Sequence, residues 1–386
     1  MRIFLSAGEA SGDMYGAWLI QALRGELRER GHTSSAEFFG VGGDAMRAAG
    51  CYLVVDAHQI AVVGLAEVVR HLPRIYGLFQ KVVRELDRRR PEIAVLIDFP
   101  DFNLRLAREL HSRGIPIVYY VSPQLWAWRQ SRVEQVRQYV RKMLVIFPFE
   151  QRFYAGHGID ARFVGHPLAE LPPPSITRDQ FAAQYHLDPA GTWIALLPGS
   201  RQGEVSRIFP SLLEAAQLLG PDYVYLVPVA STLTEDWLRR FLPSDSKVNV
   251  IFTGDAQATL LHARTAAVAS GTSTLQAALI GTPFCMVYRV ADLSWKLGRP
   301  LVKVERFAMP NLIAERDVVP ELVQDNLTPE RVASEIRRLL PDGDARRQMI
   351  EAFQQVRERL RSDVPHVGAS RRAAKAVLSE LGSKGE

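Results

Sequence analysis

The chain makes the same structural opening twice. Arg2 to Ala7 is an extended apolar run that enters the turn Gly8-Glu9-Ala10-Ser11-Gly12-Asp13, followed by helical spacing over Ala17 to Arg30 and a stop at Gly31. Trp193 to Leu197 repeats the move, entering Pro198-Gly199-Ser200-Arg201-Gln202-Gly203-Glu204 and then another helix. Further strand-like runs stand at Glu37 to Val41, Ile93 to Ile97, Ile115 to Val121 and Lys142 to Phe147, and again at Val224 to Pro228, Val248 to Phe252 and Ala266 to Ala269. A strand that is apolar at every position is buried on both faces, so strands of this kind alternating with helices predict an α/β fold with parallel sheets.

Between the two series lies Leu171-Pro172-Pro173-Pro174-Ser175-Ile176-Thr177-Arg178-Asp179. Consecutive prolines fix φ and withhold amide donors, so the segment joins neither a helix interior nor a central strand. It predicts a Rossmann-like domain over 1–170, a linker over 171–179 and a second Rossmann-like domain over 180–340. Residues 341–386 read as C-terminal helices, near Ala345 to Arg361 and Ser370 to Leu381, free to pack back on the first domain.

A chain of 386 residues, 47% hydrophobic and 23% charged, has material for two cores and is too well mixed for disorder. Cys51 and Cys285 are far apart and read as inert core thiols. Neither a signal-peptide apolar region nor a spanning helix is found, which predicts a protein that stays where it is made. The net charge of +5 suits an anionic ligand or membrane surface. No dense basic block or aromatic RNA-binding signature is present, so no nucleic acid is expected. No metal is expected either: the histidines lack ligand spacing, and Asp342-Gly343-Asp344 follows Pro341 as a turn.

Rossmann-like sheets bind ligands at the carboxyl ends of their strands. Gly199, Ser200 and Arg201 there pair with Ser270-Gly271-Thr272-Ser273-Thr274, each loop closing a strand and opening a helix. Amides, hydroxyls and a guanidinium converging on one anion suit a diphosphate, which makes UDP a plausible ligand. Gln276, one turn further on, is within reach of ribose hydroxyls and is equally a solvated helix residue.

Asp98-Phe99-Pro100-Asp101-Phe102-Asn103 follows the strand Ile93 to Ile97 directly. Asp98 reads equally as a general base and as a cap, while Asp101 reads as a cap. Asn311, just before a helix, is by default a cap. Trp126 and Trp128 offer either domain packing or a wall for sugar and acyl groups. Gln59 to Leu86 carries Val62, Val63, Leu65, Val68, Val69 and Leu72 among Arg70, His71, Arg74, Lys81 and Arg84. This is either a buried helix pair or an apolar surface with cationic edges, suited to a membrane or to acyl chains.

With these residues in place, the sequence resembles the lipid A disaccharide synthase family nearly end to end. The resemblance is carried by Ser6 to Asp13, Asp98 to Asn103, Tyr120 to Pro123 continuing through Trp126 to Arg129, Phe163 to Pro167, Leu197 to Arg201, Ala269 to Thr272 and Met309 to Leu312. It implies the GT-B architecture, two Rossmann-like domains with parallel sheets facing across a cleft, and an inverting transfer. The implied partners are UDP-2,3-diacylglucosamine and 2,3-diacylglucosamine 1-phosphate, with UDP-sugar as a substrate and no cofactor. The products would be UDP and the β-1,6-linked disaccharide 1-phosphate.

On the same footing Asp98 would be the base, with Arg201 and Asn311 also catalytic. Gly8, Glu9, Ser11, Gly12, Asp13 and Ser122 would line the acceptor side, and Val62 to Leu72 would meet the membrane. The implied location is cytoplasmic, peripheral on the anionic inner face of the cytoplasmic membrane; the oligomeric state stays open. One departure is Gln276, where many relatives carry glutamate. The competing reading is an isomerase similar to UDP-GlcNAc 2-epimerase, which shares the architecture and needs no lipid surface.

Overall fold

The computed structural model describes residues 1–31, 36–61, 68–243, 247–299, 302–361 and 368–382. The chain divides into two compact units, one of 1–170 with 360–386 and one of 171–359.

The first unit is built on seven strands, β1 (Arg2–Ala7), β2 (Glu37–Gly42), β3 (Tyr52–Asp56), β4 (Ile93–Ile97), β5 (Ile117–Tyr120), β6 (Lys142–Val145) and β7 (Ala161–Phe163). They lie in the order β3-β2-β1-β4-β5-β6-β7, every pair parallel. The second unit has β8 (Trp193–Leu197), β9 (Val224–Pro228), β10 (Asn249–Thr253), β11 (Thr265–Ala269), β12 (Phe284–Tyr288) and β13 (Glu321–Val323), ordered β10-β9-β8-β11-β12-β13 and again all parallel. Both sheets are doubly wound, as the strand pattern predicts. The order reverses between β1 and β4 in one sheet and between β8 and β11 in the other, and ligands of such sheets bind outside the carboxyl ends of those strands.

Burial follows the sequence pattern: β4 and β8 are buried at every position. The helix after β1 starts earlier than its apolar spacing predicts, running Ala10–Glu29 with Gly12 and Gly16 inside it. Close packing is the reason. A Cβ at Gly16 would come 2.6 Å from Met46 Sδ and 3.3 Å from Ile97 Cδ1, so glycine here lets the helix approach the sheet.

The C-terminal helices part company. Helix Asp344–Leu360 puts Met349 and Phe353 into a core of the second unit, with Phe353 stacked on Phe284 at 5.7 Å. Only helix Ala369–Gly382 belongs wholly to the first unit. It packs on helix Ala10–Glu29, where Arg371 bonds Glu26 and Glu29, and Arg372 bonds the Val164 carbonyl at 2.7 Å and Glu170. The proline segment opens the second unit, and Thr177 caps helix Arg178–Tyr185 by accepting from the Gln180 amide at 3.2 Å.

Candidate active site

Asp98 stands where the first sheet reverses its order. Asp98 and Phe99 both take left-handed backbone angles, φ 45° and 52°, and neighbouring Val121 has φ 62°. Such angles are costly away from glycine and persist where surroundings enforce them. Here the enforcement is a hydrogen-bond knot. Asn103 Nδ2 donates to the carbonyls of Ser6 (3.2 Å), Ile97 (3.2 Å) and Asp98 (2.8 Å), Ser6 Oγ donates to Asn103 Oδ1 at 2.6 Å, and the Tyr119 hydroxyl donates to the Asp98 carbonyl at 2.6 Å. The Asp98 main chain is thereby held by two side chains, Tyr119 of β5 and Asn103 of the helix Pro100–Ser112, and Ser6 of β1 fixes Asn103 in turn.

The carboxyl group itself is pushed up to about 7 by burial and then by the charge of Glu9, against a lowering hydrogen bond from the Phe99 amide. A base poised near neutrality can both lose its proton and accept one from a hydroxyl. Asp101, by contrast, points away as a surface ion pair with Arg129 at 3.1 Å and Arg132 at 2.5 Å.

The glycine turn divides between exposed and internal residues. Gly8 is buried under Phe99, and a Cβ there would meet the ring at 2.2 Å. Glu9 is exposed at the start of the helix; Ser11 and Gly12 lie in its first turn. Asp13 is fully engaged inside the unit: its carboxylate accepts from the amides of Gly43 (2.7 Å), Ala45 (2.9 Å) and Met46 (3.1 Å), capping helix Asp44–Ala48. Ser122 is likewise internal, bonded to the Pro123 carbonyl at 2.9 Å and the Tyr154 hydroxyl at 2.6 Å. The polar atoms of both residues are engaged within the unit, by backbone amides at Asp13 and by a carbonyl and a tyrosine at Ser122.

The tryptophans also separate. Trp126 is buried and donates through its indole to Glu150 at 3.1 Å, while Trp128 is exposed under the Arg129 guanidinium. Glu150, which the sequence pattern does not single out, is a buried carboxyl raised to about 8 by burial. It also accepts from the Phe147 amide at 3.1 Å.

In the second unit the loops after β8 and β11 lie side by side, since those strands pair directly. Gly199 has φ 120°, and a Cβ there would meet the Glu204 carboxylate at 2.2 Å. Glu204 accepts from the Ser200 amide at 3.3 Å, and its pKa is raised by burial against the lowering influence of Arg201. Arg201 stands exposed at the N-cap of helix Gln202–Leu219. Across from it Gly271, φ 136°, starts helix Thr272–Ile280, whose first residues Thr272 and Ser273 are exposed and half-buried. Helix starts of this kind attract anions.

Three residues expected in this site serve the scaffold. Thr274 is buried and donates to the Gly271 carbonyl at 2.7 Å while accepting from the Met309 amide at 3.3 Å. Ser270 donates to the Phe307 carbonyl at 3.1 Å. Asn311 is buried with both ends of its amide engaged: Nδ2 donates to the Val319 carbonyl (2.9 Å) and Glu321 Oε1 (2.8 Å), and Oδ1 accepts from the Val318 and Val319 amides (2.8 and 2.9 Å). Gln276 is half-buried on the helix that Gly271 starts.

Of the proposed membrane residues, Val62, Val63 and Leu65 lie outside the described residues. Val68, Val69 and Leu72 fall on helix Val68–Arg89, but their side chains are likewise outside the description. Further along that helix Val82, Val83 and Leu86 are buried, while Arg74, Tyr76, Lys81 and Arg84 are exposed. No helix among the described residues is long and apolar enough to cross a membrane.

Two doubly wound parallel units in one chain define the GT-B fold class. Solved structures share the fold: the calicheamicin glycosyltransferase CalG4 (TM-score 0.58, 17% identity, covering 100% of this chain and 99% of that one) and S. aureus MnaA in a co-structure with UDP (0.65, 12%, 99% and 97%). The family model for lipid-A-disaccharide synthetase matches residues 3–375. Lipid-A-disaccharide synthase of Koribacter versatilis is 55% identical over 380 residues, 98% of both chains. That of Acidobacterium capsulatum is 50% identical over 371 residues, covering 93% of this chain and 91% of the relative. The chain belongs to the lipid-A-disaccharide synthase family, and is a hexosyltransferase of lipid A synthesis.

Proposed function

We propose that the chain transfers a 2,3-diacylglucosaminyl group from UDP to the 6-hydroxyl of 2,3-diacylglucosamine 1-phosphate, giving the β-1,6-linked disaccharide 1-phosphate and UDP. The observation that carries the reading is Asp98, fixed at the sheet's reversal with its pKa near 7. In one displacement the acceptor oxygen attacks the anomeric carbon, the bond to the UDP oxygen breaks, and the leaving diphosphate takes the electron pair. The acceptor proton passes to Asp98, so the anomeric centre inverts without a covalent glycosyl-enzyme.

The second unit's task is the leaving group. Arg201 supplies a cation and the Gly271 helix start supplies amides, which lower the cost of charge building on the diphosphate. No metal is assigned a part. Asn311 acts here through the loop it ties rather than by touching a phosphate. A product assay with the two acylated glucosamines tests the reading: disaccharide and UDP should appear in equal amounts and only when both substrates are present. Release of UDP without acceptor, or epimerised UDP-sugar, would point to the isomerase instead.

The membrane part of the proposal is peripheral binding at an anionic cytoplasmic face. It is supported by the exposed Arg74, Lys81 and Arg84 beside exposed Tyr76 on one helix. Co-sedimentation with anionic vesicles should weaken at high salt. Equal binding to neutral and anionic vesicles at every salt concentration would remove the electrostatic part.

A further inference from the structure

The two strands that carry the diphosphate loops at their carboxyl ends also share a cavity at their amino ends. It has a volume of about 320 Å³ and is lined by Arg178, Gly191, Thr192, Trp193, His262, Ala263, Arg264 and Arg346. Trp193 begins β8, Arg264 immediately precedes β11, and Arg346 lies in the first turn of helix Asp344–Leu360. At roughly 3.3 Å per residue, a five-residue strand separates the cavity from the Arg201 loop by about 16 Å.

Three guanidiniums share this lining, and their ion-pair partner is the exposed Asp342, while the charges of Asp179 and Asp188 also act on Arg178 without a direct bond. Arg178 donates to the carbonyls of Pro189, Gly191 and His262, each at 2.7 Å, so none of these bonds neutralises its charge. Arg346 donates to the carbonyls of Arg264 (2.5 Å) and Leu339 (3.2 Å). Asp342, 83% exposed at the rim, bonds Arg264 at 2.5 Å and approaches Arg346 only to 3.8 Å. Burial and the Arg264 charge lower the pKa of Arg346, and burial lowers that of Arg178. His262, whose Nε2 lies 3.0 Å from the Ile176 carbonyl, has its pKa lowered by burial and by Arg178, which disfavours its cationic form.

A second observation is independent of the charges. The indole Nε1 of Trp193 is buried and has no hydrogen-bond partner, and it sits beside Gly191, where a Cβ would be 3.4 Å away. An unpaired buried N–H is a standing cost that an acceptor oxygen would remove. The Arg178 guanidinium covers the face of the same ring at 3.7 Å.

We infer that this cavity is a binding site for a phosphate group, separate from the diphosphate loops and held by Arg178, Arg264, Arg346 and the Trp193 indole N–H. Guanidiniums favour phosphate by forked hydrogen bonding, and the charged side chains of this lining are all cations. The phosphate belongs either to a soluble molecule or to a lipid headgroup. The inference does not depend on the proposed reaction.

Equilibrium dialysis with labelled inorganic phosphate tests it, using the full chain carrying Arg201→Gln so that the other loop contributes little. One phosphate per chain is expected to bind, Arg346→Gln to weaken it at least tenfold, and Trp193→Phe, which keeps the ring and deletes the N–H, to weaken it several-fold. Arg207→Gln, on the surface elsewhere, should leave it unchanged. Phosphatidylglycerol vesicles that displace the phosphate, where phosphatidylcholine vesicles do not, would assign the headgroup source. Failure of both to displace it would assign the soluble source. Absence of saturable binding, or binding indifferent to both Arg346→Gln and Trp193→Phe in variants that melt like the parent, would overturn the site.

Discussion

The Asn311 amide donates to Glu321 Oε1 at 2.8 Å, and the same carboxylate accepts from the Phe307 and Ala308 amides at 2.9 to 3.0 Å. Phe307 in turn accepts from Ser270 Oγ. A chain of bonds therefore runs from a strand-start glutamate to the loop that opens helix Thr272–Ile280. Asn311 reaches the proposed chemistry through this chain.

Asn311→Ala should accordingly act as a stability change. It strips partners from the Val318 and Val319 amides and from one Glu321 oxygen, at about 1 kcal/mol for each bond lost and more where a donor stays buried and unpaired. A loss of about 2–4 kcal/mol would lower the melting of the second unit by roughly 5–15 °C. Differential scanning calorimetry reads this directly. A variant that melts normally while losing all turnover would instead make Asn311 a group that touches substrate.

Asp98 gives a pH signature. The base must be ionised, so kcat/KM should rise with pH through about 7 and level off above it. Asp98→Asn should abolish disaccharide formation while UDP binding persists. Glu9→Gln removes one of the charges that raise Asp98, so the rising limb should move to lower pH. A profile unmoved by Glu9→Gln would break the electrostatic link between the two residues.

The same carboxyl should oppose folding. Its folded pKa lies above the unfolded value of 3.8, so the native state holds the proton more tightly. Stability from this group is present below the unfolded pKa and is lost as pH climbs to about 7. Asp98→Asn carries no such titration, so its melting temperature should gain on wild type between about pH 4 and 7 and keep that gain at pH 8. Parallel melting curves across that range would contradict the raised pKa.

The fold was legible where burial leaves a mark on composition. β4 and β8, Ile-Ala-Val-Leu-Ile and Trp-Ile-Ala-Leu-Leu, are buried on both faces and read as strands at once. β7 and β13 are three residues each, too short for periodicity, and β13 begins with Glu321, whose charge disguises a strand. β3, Tyr52–Asp56, has an exposed tyrosine and a terminal aspartate, and β12 went unread behind Thr282-Pro283. Site residues divide the same way. Asp98 is recognisable because it ends a buried strand, whereas the duties of Asp13, Ser122 and Asn311 depend on partners several to dozens of residues away. Spacing shows that a polar residue is present, and only the fold shows that its hydrogen bonds are already spent.

Arg201 supports a separable effect. It is exposed at a helix start, so removing its charge should leave folding intact and weaken the hold on a diphosphate. Charge-assisted hydrogen bonds are worth about 1.5–3 kcal/mol, which corresponds to roughly 10- to 150-fold in UDP affinity. Calorimetric titration of Arg201→Gln with UDP should show that loss with an unchanged melting temperature.

Glu150 gives the last test, because its proton is predictable from its surroundings. Burial raises the carboxyl to about 8 although Trp126 and the Phe147 amide both donate to it. At pH 7 the native state therefore holds it mainly protonated, and a glutamine of the same shape keeps only one of the two acceptor oxygens that Trp126 and the Phe147 amide use. Glu150→Gln should fold with one buried donor left unpaired, at a cost of about 1–3 kcal/mol at pH 7. Wild type loses the group's contribution as pH rises from about 4.5 to about 8, so the variant's relative stability should grow over that interval and stay constant above it. Glu150→Ala leaves the indole and amide without acceptors and should be destabilised by about 2–4 kcal/mol at every pH. A stability difference between wild type and Glu150→Gln that stays constant from about pH 4.5 to about pH 8 would refute the raised pKa.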